Sequence, residues 1–159
     1  MEQTQETYLT LEGRDRLQQE LENLETVRRR EVADELKTAA EVGGTVDNAE
    51  YDEAKNELAY VEGRMQALEA MIQNAVIIPD HKKAASDVVE MGSIVRVAVV
   101  DSKKAHTYTI VGSTEAAPAD GLISNESPVG GALLGKRVGD VVEVRIPSGT
   151  QRLKLVKVQ

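Results

Sequence analysis

The sequence predicts an α+β protein, with an antiparallel α-helical coiled-coil hairpin over residues 1–78 and a small, mostly antiparallel β domain with one short helix over residues 79–159. Three observations carry this expectation. Apolar residues repeat in heptads through the second quarter of the chain, paired glycines break a helical pattern near residue 43, and β-branched alternation replaces helical spacing after Pro79.

Thr10 is placed to cap the first helix, which Leu17, Leu21 and Leu24 then mark. Its inward positions step in fours through Arg28, Val32 and Leu36 before Ala39 and Ala40, a stutter that locally unwinds a supercoil. The second arm is regular. Tyr51, Leu58, Met65 and Ile72 fall seven apart, with Ala54, Val61, Leu68 and Ala75 three further on. Neither stripe can stay exposed, and Gly43-Gly44 make a continuous dimeric rod the poorer solution, so the arms should fold back on each other. At roughly 28–32 residues an arm, the hairpin should be about 40–50 Å long. Gly63 weakens the second helix relative to alanine, and a close helix contact would explain it.

Val76-Ile77-Ile78-Pro79 ends the helical region, and residues 80–87 read as a polar linker. Ser93–Val100 and His106–Val111 read as strands, and Val142, Val144 and Ile146 alternate with Glu143 and Arg145. Pro147-Ser148-Gly149 is turn chemistry before a last strand at Arg152–Val158. Ser127-Pro128 supplies an N-cap and a first-turn proline for the short helix, with Gly135 suited to its C-terminal end.

The chain has no cysteine, phenylalanine or tryptophan and only 3% aromatics, so its cores must be aliphatic. Without cysteine there are no disulfides or thiolate metal sites. No apolar run approaches the roughly 18–20 residues that span a bilayer, and the acidic N-terminus is unlike a signal peptide. A cytoplasmic protein with no membrane partner is expected. The net charge of −8 is uneven: residues 1–78 carry 8 Lys/Arg against 18 Asp/Glu, and residues 79–159 carry 11 against 9. The first half is therefore a poor ligand for free nucleic acid and better suited to a basic or metal-bearing surface.

The turn reads Gly43-Gly44-Thr45-Val46-Asp47-Asn48-Ala49-Glu50-Tyr51. It resembles the tip of the bacterial GreA/GreB transcript-cleavage factors, whose frame runs close to G-D-L-x-E-N-x-E-Y. Further similar segments are Leu9-Thr10-Leu11-Glu12-Gly13, Val27–Glu31, Glu62-Gly63-Arg64 and Asn74–Ile77. The most specific block is Ser127–Lys136, followed by Gly139-Asp140 and Pro147-Ser148-Gly149.

The resemblance implies an FKBP-like second domain that docks on RNA polymerase, with Ser127, Pro128, Leu133, Gly135 and Lys136 as docking residues. It implies a finger that enters the secondary channel and sets two tip carboxylates beside the polymerase's catalytic magnesium. The polymerase would then hydrolyse the 3′ end of backtracked RNA, which the factor meets only inside that complex. On this reading the chain is a monomer, is not itself an enzyme, and binds no cofactor or metal of its own. Two-metal cleavage explains the acids, because one ion organises the nucleophile and the other the leaving group. Magnesium takes one or two carboxylates besides water and phosphate. Here the first family acid aligns with Gly44 and the second with Asp47, and a family basic position falls on Ala40.

Plainer readings stand beside these. Asp47 or Asn48 can simply cap the second helix, and Glu41 and Glu50 can be dipole-complementing or substitute tip acids. Arg28-Arg29-Arg30 can touch RNA or form a solvated face. His81 and His106 have no neighbours at zinc-ligand spacing. Prolyl isomerase activity would want aromatics, and residues 79–159 offer only Tyr108. Two function classes follow: a cleavage-stimulating elongation factor with a weakened tip, or a cleavage-deficient regulator that occupies the channel and competes with active factors.

Overall fold

The protein's computed structural model describes residues 6–43, 48–79 and 86–159. The chain forms two compact units, Arg14–Asn74 and the pair of segments Met1–Gly13 with Ala75–Gln159. This division differs from the 1–78/79–159 expectation at both ends of the hairpin sequence. The reason is a short parallel pairing, β1 (Thr7–Leu9) with β2 (Ala75–Ile77), too brief to show a sequence period.

The Arg14–Asn74 unit is a helical hairpin. Its first arm runs through α1 (Leu11–Asn23, which starts in the other unit), a π-helical turn (Leu24–Arg28) and α2 (Arg29–Gly43). Its second arm is α3 (Ala49–Gln73), about 37 Å long at 1.5 Å per residue. Ala39 meets Asn48, Arg28 meets Glu57 and Glu20 meets Arg64, so the arms are antiparallel within one chain. The π turn falls where the apolar positions step in fours. The N–H of Arg29 donates to the carbonyl of Leu24, five residues back, so the helix spends one extra residue there and keeps its inward stripe on the partner.

The buried seam is Val32, Ala39, Ala54, Val61 and Leu68. Tyr51, Leu58, Met65 and Ile72 are only half-buried, and Ala75 lies in β2 rather than in the helix. With two helices and no third, one stripe per arm can lie squarely under its neighbour, and the adjacent stripe stays at the rim. Gly63 corrects another expectation: apart from its chain neighbours and its own stretch of helix backbone, no described atom lies within 4 Å of where its Cβ would be, so no close helix contact demands glycine there.

The other unit is a five-stranded sheet in the order β5-β4-β3-β7-β6, from β3 (Ile94–Val99), β4 (Ala105–Val111), β5 (Leu122–Ser124), β6 (Val141–Ile146) and β7 (Gly149–Val158). Its neighbours are antiparallel except β4 with β5. Alternation puts Val142 and Val144 inside and Glu143 and Arg145 outside. Val95, Val97, Ile110, Leu153 and Leu155 complete the core, and α4 (Pro128–Leu133) closes it with Leu133.

The start of the chain is tied into this unit by polar contacts. Thr10 caps α1 by accepting from the N–H of Gly13 at 2.9 Å, as its position predicts. Glu115, in a 3-10 turn at Ser113–Glu115, accepts from both the N–H and the hydroxyl of Thr10 at 2.6 Å. The backbone of Tyr8 passes so close to Gly112 that a Cβ there would overlap its carbonyl.

Truncation should rank the seam above its rim. Leu68→Ala, at a fully buried position, is expected to cost the hairpin about 2–5 kcal/mol, and Met65→Ala distinctly less. Gly63→Ala is expected to stabilise it by about 0.5–1 kcal/mol. Thermal unfolding followed by helical circular dichroism checks all three; a loss on Gly63→Ala would mean that glycine has a packing role.

Candidate functional site

The closed end of the hairpin is built by its two helix termini. Residue Asn48 has an extended backbone (φ −108°, ψ 99°), and its side-chain oxygen accepts from the N–H of Tyr51 at 3.1 Å, which makes it the N-cap of α3. Its amide nitrogen donates across to the carbonyl of Ala39 on α2 at 2.8 Å. Asn48, and not Asp47, is thus the cap. Asp47 and Gly44 themselves fall in residues 44–47, outside the described residues, as does His81 in 80–85.

Glu50 and Asp52 sit in the first turn of α3, where a negative charge complements the helix dipole. Glu41 is placed differently. It is exposed in the last turn of α2, at the dipole's negative end, in a turn with no basic residue. Next to it Val42 is 80% exposed. Behind this end the arms flank an open groove of about 700 Å³, in which Glu31, Asp34, Glu35, Glu50, Glu53 and Glu57 face a single cation, Arg28. Among the described residues no three carboxylate, imidazole or thiol groups converge on a metal-sized site. Such a surface attracts a basic partner and repels free phosphate.

Two of the three arginines in the basic stretch are paired within the hairpin. Arg28 reaches Glu57 on the other arm at 3.0 Å and Glu31 on its own at 3.3 Å, and these hydrogen bonds, that to Glu57 foremost, raise its pKa. Arg29 lies 3.5 Å from Glu62. Arg64 makes a forked contact to Glu20 at 2.7 and 3.0 Å, which likewise raises its pKa. His106 stacks on Tyr108 with ring centroids 5.8 Å apart.

In the sheet unit, Ser127 accepts from the N–H of Gly130 at 3.1 Å and donates to the carbonyl of Ser124 at 2.6 Å, so it caps α4. Pro128 and Lys136 are exposed, and Gly135 is exposed with a left-handed backbone (φ 75°). Leu133 is a correction to the docking set. It is fully buried, so its side chain supports α4 from below and offers a partner nothing.

Comparison with known proteins matches residues 7–77 to the model described as "Transcription elongation factor, N-terminal", and residues 83–159 to "Transcription elongation factor, GreA/GreB, C-term". The chain is 50% identical to transcription elongation factor GreA of Acetivibrio thermocellus, and 51% identical to that of Clostridioides difficile. Both alignments span all of this chain and 99% of the relative. The chain belongs to the GreA/GreB family of transcription elongation factors. Among solved structures it is similar to GreA factor homolog 1 of Thermus thermophilus, at 32% identity over 98% of this chain and 99% of that one, with a TM-score of 0.44.

Of the three expected departures from the Gre frame, at Gly44, Asp47 and Ala40, only Ala40 lies among the described residues. Ala40 is half-buried on α2, where a basic side chain would have to turn out of the seam. Sequence reasoning did not single out the Asn48–Ala39 bond or the Glu115–Thr10 contact, because neither partner lies at a spacing that marks it.

Two variants separate support from surface in the Ser127–Lys136 segment. Ser127→Ala removes a cap and should lower the stability of the sheet unit by about 1 kcal/mol. Lys136→Ala should leave it within about 0.5 kcal/mol. Urea unfolding reads both, and equal losses would contradict the assignment of Ser127 as the cap.

Proposed function

We propose that this chain binds bacterial RNA polymerase at the secondary channel and stimulates the polymerase's own cleavage of backtracked RNA. The chemistry belongs to the polymerase, which supplies the magnesium; the chain contributes a carboxylate. The observation that carries this reading is that Asn48 caps α3, so the helix start does not require Asp47. The acid is then available to steady the second metal ion or the attacking water. Pro128, Gly135 and Lys136 are the exposed members of the expected docking segment. The half-to-half charge asymmetry, 8 Lys/Arg against 18 Asp/Glu in residues 1–78, suits entry into a basic, metal-bearing channel rather than binding to free nucleic acid.

Gly44 favours a second reading. Where the family places its first acid this chain has no side chain, and a protein that occupies the channel without promoting cleavage would compete with active factors.

Cleavage of a stalled, backtracked elongation complex with and without the chain tests both. One lost charge-assisted ligand interaction is worth roughly 1.5–3 kcal/mol, or about ten- to a hundredfold in rate. The double change Gly44→Asp with Asp47→Glu should therefore raise cleavage at least about tenfold at nearly unchanged polymerase affinity, and Asp47→Ala should abolish the natural activity. An unsubstituted chain that binds, cleaves nothing and suppresses an active factor establishes the regulator. Full cleavage that survives Asp47→Ala removes Asp47 from the mechanism.

A further inference from the structure

We infer that Asn48 is a positioning residue: one side chain joins both arms of the hairpin and fixes the ends of the turn between them. The inference rests on the proposed cleavage function, for which the place of that turn matters.

The partners dictate how the amide points. The Ala39 carbonyl can only accept and the Tyr51 N–H can only donate, so the side-chain nitrogen faces α2 and the oxygen faces α3, at 2.8 and 3.1 Å. Capping by itself needs only the oxygen, and serine, threonine or aspartate would supply it. The second bond is what asparagine adds, because it carries a donor and an acceptor on separate atoms of one short, planar group.

The surroundings are shaped for that bond. Ala39 and Ala54 are small and buried, so the arms come close at this end. Ala39 lies one helical turn before the end of α2 at Gly43, and the bond closes a ring from residue 39 to residue 48. A Cβ on Gly43 would stand 2.6 Å from the Asn48 amide nitrogen, so a side chain there would push the amide off its acceptor. None of these groups belongs to residues 44–47. Asn48 thus ties together the two helix ends that flank residues 44–47.

Asn48→Asp in the full chain is the decisive variant. It keeps the capping oxygen and sets a second oxygen against the Ala39 carbonyl. Gly43→Ala should act in the same direction by displacing the amide. The thermal midpoint should fall by no more than a few degrees, as for one lost hydrogen bond, and the affinity for polymerase should stay as in the unsubstituted protein. Amide hydrogen exchange over residues 40–43 should quicken about fivefold, as expected for one lost hydrogen bond. The cleavage rate at saturating factor should fall about tenfold or more, since a small misplacement of a reacting group is costly.

Unchanged exchange overturns the inference. So does an unchanged saturating rate, or a loss confined to affinity, which is what a purely structural role would give. If the unsubstituted chain stimulates no cleavage, the proposed function has failed on its own account. Exchange then decides whether Asn48 joins the arms.

Discussion

Two helices that pack only on each other can bury one stripe apiece, and the hairpin is organised around that restriction. Val32 and Ala39 on one arm, and Ala54, Val61 and Leu68 on the other, occupy the stripe. The rest of the unit answers to it. Apolar positions on the first arm that step in fours would drift off the seam in a continuous α-helix, and the π turn at Leu24–Arg28 absorbs the drift. The ion pairs Arg28–Glu57, Arg29–Glu62 and Glu20–Arg64 stand at the rim, half exposed, where such pairs add little stability. Their value lies in register: a one-turn slip of either arm would set Arg28 and Arg64 away from their partners on the other arm.

The same geometry explains the chemistry of the closed end. A hairpin with a narrow aliphatic seam has nowhere to bury carboxylates, so its many acids line the flanking groove and the exposed face. Concentrated charge of one sign weakens a fold through self-repulsion, and it steers association toward surfaces of the opposite sign. Small residues at Ala39 and Ala54 let the arms approach closely enough for one asparagine to serve both. Packing in the seam thus sets the helix ends on either side of residues 44–47.

In the sheet unit Thr7–Leu9 and Ala75–Ile77 pair as β1 and β2, and Glu115 holds Thr10 by its N–H and hydroxyl. Because Thr10 is at the same time the cap of α1, the carboxylate of Glu115 fixes the group that starts the helix. Leu133 belongs to this supporting order too. Its place in the Ser127–Lys136 segment looks like part of a surface, yet its side chain fills the core beneath α4.

Much of the architecture was legible in the sequence, because periodicity and local chemistry act over a few residues. The heptads of the second arm, the caps at Thr10 and Ser127, the glycine at 135 and the alternation of β6 all announce themselves within one or two turns. The turn's kinship to the Gre tip was equally local. Tertiary structure decided what depends on distant partners. Three-residue strands carry no period, so β1 and β2 emerge only when Thr7–Leu9 meets Ala75–Ile77, and the unit boundary moves with them. Which of two heptad stripes is buried depends on the face the other arm covers, and it chose Ala54, Val61 and Leu68 over Tyr51, Leu58 and Met65. Whether Asp47 or Asn48 caps α3 was undecided in sequence, since both residue types suit the position. A carbonyl on the opposite arm, at Ala39, favours the residue that can also donate.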